Sequence, residues 1–177
     1  LPVFPFHGSK LKRKRCILDV MKTMQDWLDA YGVSHQNPIN KLFHWICVPT
    51  IFVSLVGLLS QIPLPEVFGA GWAPYLHAGT ALLVGGLFFF IRLSPVMALT
   101  MAVISACSLY GVKVINIQTA EAAGWWYFGA FAVAWVGQFI GHKIEGEKPS
   151  FFDDLKFLMI GPAWLAGFVL QKLGIRY

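Results

Sequence analysis

Four stretches of this chain, residues 42–65, 67–91, 93–112 and 122–142, contain no Asp, Glu, Lys or Arg. Each is about 20 residues or longer, the length a helix needs to cross roughly 30 Å of hydrocarbon. A fifth charge-free window, 157–171, is shorter and suits a tilted span, a re-entrant segment or a buried helix. A soluble domain carries about a quarter charged residues; here 13% of 177 residues are charged, 56% are hydrophobic and mean hydropathy is +0.61. The pattern predicts an all-α, polytopic membrane bundle of four to five spans in a single domain, 16–177, behind a basic tail, 1–15.

Local signals set the expected span limits at about 38–60, 74–91, 95–112, 124–142 and 157–171. Asn37-Pro38 is a helix start: Asn accepts an orphan backbone N–H, and Pro at N1 has none to lose. Pro63 and Pro65 mark the exit from the first span, and Arg92-Leu93-Ser94-Pro95 is a tight turn between the second and third. Gly161-Pro162 interrupts the fifth. Ahead of the spans, Ile17, Val20, Met21, Met24, Trp27, Leu28 and Tyr31 fall at helical spacing. That spacing predicts an amphipathic helix over 16–31, lying on the membrane surface or packed over the spans.

The net charge of +5 is unevenly spread, with six of the fourteen Lys and Arg between Lys10 and Lys22. A basic block beside a span is a topology signal or an anionic-lipid contact rather than a nucleic-acid surface. With the N-terminus cytoplasmic, five alternating spans leave only Lys113, Lys172 and Arg176 on the opposite side. No apolar segment follows the basic run until residue 42, so no secretory signal peptide is expected. The cysteines, Cys16, Cys47 and Cys107, are too scattered for a zinc site or a disulfide framework.

This topology gathers polar residues at one membrane level. His35 sits in the loop before the first span, with Asn40 and His44 four apart on one helical face. Gln138, His142 and Glu145 share a face at the end of the fourth span, and His77 lands near the other membrane surface. An interfacial histidine alone is unremarkable, but polar residues stacked on one stripe of an apolar helix turn toward protein. Three histidines plus a carboxylate at one depth, His35, His44 and His142 with Glu145, form a divalent-metal ligand set, with Asn40 and Gln138 as outer hydrogen-bond partners or substrate contacts. With no cysteine among them, imidazole and carboxylate suit non-haem Fe(II) or catalytic zinc. His7 and His77 read as structural, and Glu147, Asp153 and Asp154 as a solvated face or a helix N-terminus. Two other readings stay open: a bis-His haem protein using His44 and His142, and a non-enzymatic membrane scaffold or lipid transporter.

The blocks HQNPINKLFHWICVPTIF and WVGQFIGHKIEGEKPSFFDDLKFLMIGPAWL resemble the membrane-bound 2-hydroxy fatty acid dioxygenases of fatty-acid α-oxidation. The first carries H-x4-N-x3-H-x4-P-T as His35, Asn40, His44, Pro49 and Thr50. The second carries Gln138, Phe139, Gly141 and His142, followed by an acid that is Glu147 in one register and Glu145 by the helical face. Together they cover roughly a third of the chain, and their wording looks closest to the bacterial branch.

The resemblance implies oxidative removal of C1 from a 2-hydroxy fatty acid, dependent on Fe2+ and O2. It places iron on His35, His44 and His142, catalytic or head-group roles on Glu145, Asn40 and Gln138, and attraction of the substrate carboxylate on Lys41 or Lys143. The positive-inside orientation puts the metal site of such an integral membrane protein on the cytoplasmic side, in a bacterial inner membrane or an endoplasmic reticulum. No GxGxxG fingerprint is present, in keeping with a reaction that needs no nucleotide cofactor.

Overall fold

The computed structural model describes residues 23–65, 70–146 and 158–177, which are helical with no β-strand among them. Six α-helices follow in order: α1 (Met24–Gly32), α2 (Pro38–Ser60), α3 (Ala78–Leu93), α4 (Pro95–Thr119), α5 (Ala123–Glu145) and α6 (Ile160–Lys172). By length and apolarity alone, two segments could cross a membrane: Pro38–Ser60 and the Pro95–Glu145 run that holds α4 and α5. Helix α3 is apolar but shorter.

Among the described helices, α1, α2, α3 and α4 each start at a side-chain cap. Thr23 and Asp26 form a capping box, the Thr23 N–H donating to Asp26 Oδ2 at 2.8 Å and the Asp26 N–H to Thr23 Oγ1 at 3.2 Å. Asn37 caps α2 by accepting from the Ile39 N–H at 2.9 Å, and Ser94 caps α4 by accepting from the Met97 N–H at 3.2 Å.

The element before α3 departs from the expected second span. Ala70–Tyr75, which includes Pro74, is a 3-10 segment, and α3 begins only at Ala78. His77 is the reason: its Nδ1 accepts the Thr80 N–H at 3.3 Å, so the helix is capped four residues later than Pro74 suggests. The third helix overruns its expected end and continues to Thr119. Lys113 does not stop it because its ammonium leaves the helix to donate to the Tyr75 hydroxyl at 3.0 Å. Of the expected helix over 16–31, residues 16–22 lie outside the described residues. The described part turns Met24, Leu28 and Tyr31 inward and packs on α6.

The largest helix–helix interface joins α2 to α5. Two glycines one turn apart on α5 allow it. A Cβ on Gly137 would stand 2.6 Å from Cys47 Sγ, and one on Gly141 would collide with Asn40 Oδ1. Small residues at i and i+4 let two apolar helices approach at backbone distance. At the far end of the same pair, the Tyr127 hydroxyl donates to Asn116 Oδ1 at 2.9 Å, and Asn116 Nδ2 donates to Ser60 Oγ at 3.0 Å. The main core, including Val56, Leu83, Phe90, Met97, Met101 and Val112, fills the space among α2, α3 and α4. A smaller cluster of Cys47, Ile51, Ala134 and Trp135 seals the α2–α5 seam beside the histidines.

Candidate metal centre

The antiparallel α2–α5 pair brings the start of one helix to the end of the other, and with them His44 and His142. The α1–α2 loop drops His35 between the two. All three are buried, at 1%, 1% and 5% exposure for His35, His44 and His142. Ring centroids lie 4.1 Å apart for His35 and His44, and 5.1 Å apart for each of these with His142. One nitrogen from each ring falls within 4.8 Å of the other two.

Backbone carbonyls fix which nitrogens face inward. His35 Nδ1 lies 2.6 Å from the Tyr31 carbonyl and His44 Nδ1 lies 2.9 Å from the Asn40 carbonyl. A carbonyl only accepts, so both Nδ1 atoms carry the proton and both Nε2 atoms present lone pairs. These two Nε2 atoms are 2.7 Å apart. Two lone pairs at that distance repel unless a cation lies between or beside them. A proton is disfavoured, because burial is the main cause holding the His35 pKa down, from 6.5 to about 4. A divalent metal meets the demand, since neutral imidazole is its ligand form and each Nδ1–H···O=C bond is the usual outer support. The donor set therefore fits a metal ion. Tyr31 stacks on the His35 ring at 4.2 Å and 15°, and Trp164 closes the same side at 5.3 Å from both rings.

Glu145 lies outside this trio of potential ligands. Its Oε1 accepts from the Gln36 N–H at 2.8 Å, and its Oε2 from the Asn37 N–H and Asn40 Nδ2, both at 2.9 Å. The last residue of α5 thus binds the α2 N-terminus, where a carboxylate is favoured by unpaired N–H groups and the helix dipole. The loop that carries His35 and the two helices that carry the other histidines are tied together at this one side chain. Asn40 is buried, donates to Glu145 and the Ser34 carbonyl, and turns Oδ1 against Gly141.

Two cavities flank the histidines. A wider one of about 340 Å3 lies on the His35 side, with Lys41, Gln36, Trp164 and Gln171 in its wall. A small one of about 30 Å3 lies on the His44 side, where Gln138 lines it. Lys143 is exposed and lines neither. His77 is a helix cap, and His7, Glu147, Asp153 and Asp154 lie outside the described residues.

Sequence reasoning missed the part that four residues play in shaping the site. Tyr31 had a signal, four residues before His35 with its carbonyl at the end of a helix. Gly137 and Gly141 were legible as a small-xxx-small pair. Trp164 reaches the site only through the docking of α6, for which local sequence has no sign.

A family model described as 2-hydroxy-palmitic acid dioxygenase Mpo1-like matches residues 21–173. The chain belongs to that family. Among curated Mpo1-like proteins, it is 28% identical over 162 residues to the 2-hydroxy-palmitic acid dioxygenase MPO1 of Saccharomyces cerevisiae, covering 85% of this chain and 82% of the yeast protein. No solved structure matches it. The match runs from within the segment before α1 through the end of α6, so it takes in every helix that builds the site. The match thus spans every described helix, and membership of a family named for a dioxygenase supports enzyme status at the family level.

Proposed function

We propose that this Mpo1-like chain is an iron(II)-dependent dioxygenase that removes C1 from 2-hydroxy fatty acids. The balanced reaction is R–CH(OH)–COOH + O2 → R–COOH + CO2 + H2O. The 2-hydroxy acid supplies all four electrons that reduce O2, so no reductant beyond substrate is needed. The observation that carries this reading is the 2.7 Å approach of the His35 and His44 lone pairs, with His142 beside them.

In this account His35, His44 and His142 hold the metal. Bound iron would supply binding and reductive activation of O2. The protein's own groups hold, orient and exclude. Tyr31 and Asn40 carbonyls lock the tautomers of His35 and His44, and Tyr31 and Trp164 keep water from the imidazoles. Glu145 and Asn40 set the spacing between helices rather than binding iron. Lys41, in the wall of the wider cavity with His35, draws the substrate carboxylate toward the cluster. Lys143, exposed at the same helix end, adds to that positive field.

A porphyrin between His44 and His142 is a poorer fit, since their ring centroids stand 5.1 Å apart and the adjoining cavity is only about 30 Å3. A scaffold has no use for lone pairs buried face to face, which cost stability without a cation.

The alkyl chain of such a substrate belongs in lipid. We read α2, α3, α4 and α5 as spans, with α6 tilted or re-entrant and the histidine end cytoplasmic. Exposed Trp125, Trp126, Trp72 and Tyr110 gather at the opposite end, as an interfacial aromatic belt would. The test is turnover of 2-hydroxypalmitate by iron-loaded protein in detergent, with pentadecanoate and CO2 formed one to one per O2 consumed. Release of a one-carbon-shorter aldehyde without O2 uptake, or no turnover by iron-loaded protein, would overturn it.

A further inference from the structure

Gln138 is 6% exposed, and its Oε1 accepts no hydrogen bond from any described residue. An amide oxygen taken from water without a donor is costly, so a buried orphan of this kind marks the seat of something that donates. The other orphan amide oxygen near the site, Asn40 Oδ1, lies against Gly141, and Asn40 lines neither cavity. Gln138 differs in this respect. It lines a cavity of about 30 Å3 shared with His44, Tyr31, Val48, Ile51 and Gly161. That volume admits one water-sized group and no alkyl chain.

The two cavities divide the site. Carboxylate chemistry has room on the His35 side, where Lys41 stands in the wall. On the His44 side only a single small O–H donor fits. Since the two inward-facing Nε2 atoms are 2.7 Å apart, groups entering from the two sides would both come within reach of the histidine cluster. A 2-hydroxy acid carries such a pair of groups on adjacent carbons.

Resting on the dioxygenase reading, we propose that Gln138 is the specificity-determining residue for the 2-hydroxyl. Its amide oxygen accepts a hydrogen bond from that hydroxyl in the small cavity. Gln138 thereby separates 2-hydroxy acids from the plain fatty acids that fill the membrane. A site built to hydrogen-bond a hydroxyl rejects the analogue lacking it, because its own polar atom is then left unpaired.

The test is anaerobic calorimetric titration of iron-loaded protein with 2-hydroxypalmitate and with palmitate, for wild type, Gln138→Leu and Ile51→Phe. Without O2 there is no turnover, so binding alone is read. Wild type should prefer the hydroxylated acid by about 10- to 100-fold, the worth of one well-placed hydrogen bond. Gln138→Leu should cut that preference below about threefold, leaving palmitate affinity and iron content unchanged. Ile51→Phe fills the cavity with the amide intact and should give the same selective loss, which serves if Gln138→Leu does not fold.

Retained preference in both variants, or equal weakening toward both acids, would overturn the assignment. Equal binding of the two acids by iron-loaded wild type would also overturn it and leave the orphan to an ordered water. Wild type that neither holds iron nor binds either acid would fail the dioxygenase reading itself.

Discussion

His35 Nε2 and His44 Nε2 stand 2.7 Å apart, each on a ring whose Nδ1 proton is already given to a main-chain carbonyl. The pairing is set by backbone: the Tyr31 carbonyl closes α1 and the Asn40 carbonyl lies in the first turns of α2. Neither ring can swing away without breaking a hydrogen bond to a helix end. The site is therefore pre-formed, and it behaves as a unit with the elements that frame it.

Glu145 frames it most directly. Replacing Glu145 with Ala leaves the Gln36 and Asn37 N–H groups without their acceptor and Asn40 Nδ2 with only the Ser34 carbonyl at 3.3 Å. We expect a loss of about 1–3 kcal/mol in unfolding free energy, because partners left unpaired cost more than the bond was worth. Metal affinity should fall without being abolished. Glu145→Gln, which keeps one acceptor oxygen, should fall between the two. Denaturant unfolding in detergent beside an iron titration reads both effects; unchanged stability with total loss of iron would make Glu145 a ligand instead.

Gly141 sets the distance between the helices. A Cβ there meets Asn40 Oδ1, so Gly141→Ala must push α2 away from α5 or displace Asn40. Overpacking of this kind costs about 1–3 kcal/mol. We expect a lowered thermal midpoint and weakened iron binding together. Gly129→Ala, where a Cβ would meet nothing within 4 Å, is the control and should change neither.

Lys41 acts by charge from a cavity wall. Lys41→Met should raise KM for 2-hydroxypalmitate by about two- to fivefold with kcat little changed, the scale of a partly solvated charge pair. The difference between the variants should shrink as salt rises and vanish for the methyl ester. A fall in kcat at unchanged KM would move Lys41 from attraction to chemistry.

Much of the fold was legible because membrane-like helices declare themselves by missing charge and by caps. Helix α2 runs Pro38–Ser60, where Asn37-Pro38 and the charge-free window set it. The end of α4 was not legible, since nothing local shows that Lys113 reaches Tyr75. The late start of α3 was hidden because His77 is a rare cap whose ring nitrogen stands in for an Asn or Ser oxygen. At the site, helical spacing was enough to place Asn40 with His44 and Gln138 with His142. The partner of Glu145 was not, because its acceptor role depends on the α2 N-terminus from across the bundle. Trp164 and the two cavities come from the docking of α6 and α1, contacts for which the sequence has no period.

The central claim is that three buried histidines hold iron. Protein purified anaerobically, reconstituted with Fe(II) and freed of excess should carry about one iron per chain, as a closed three-histidine site demands. His35→Ala, His44→Ala and His142→Ala should each lose most of it, while His77→Ala keeps it. Wild type that holds no iron after reconstitution, or histidine variants that hold as much as wild type, would contradict the account.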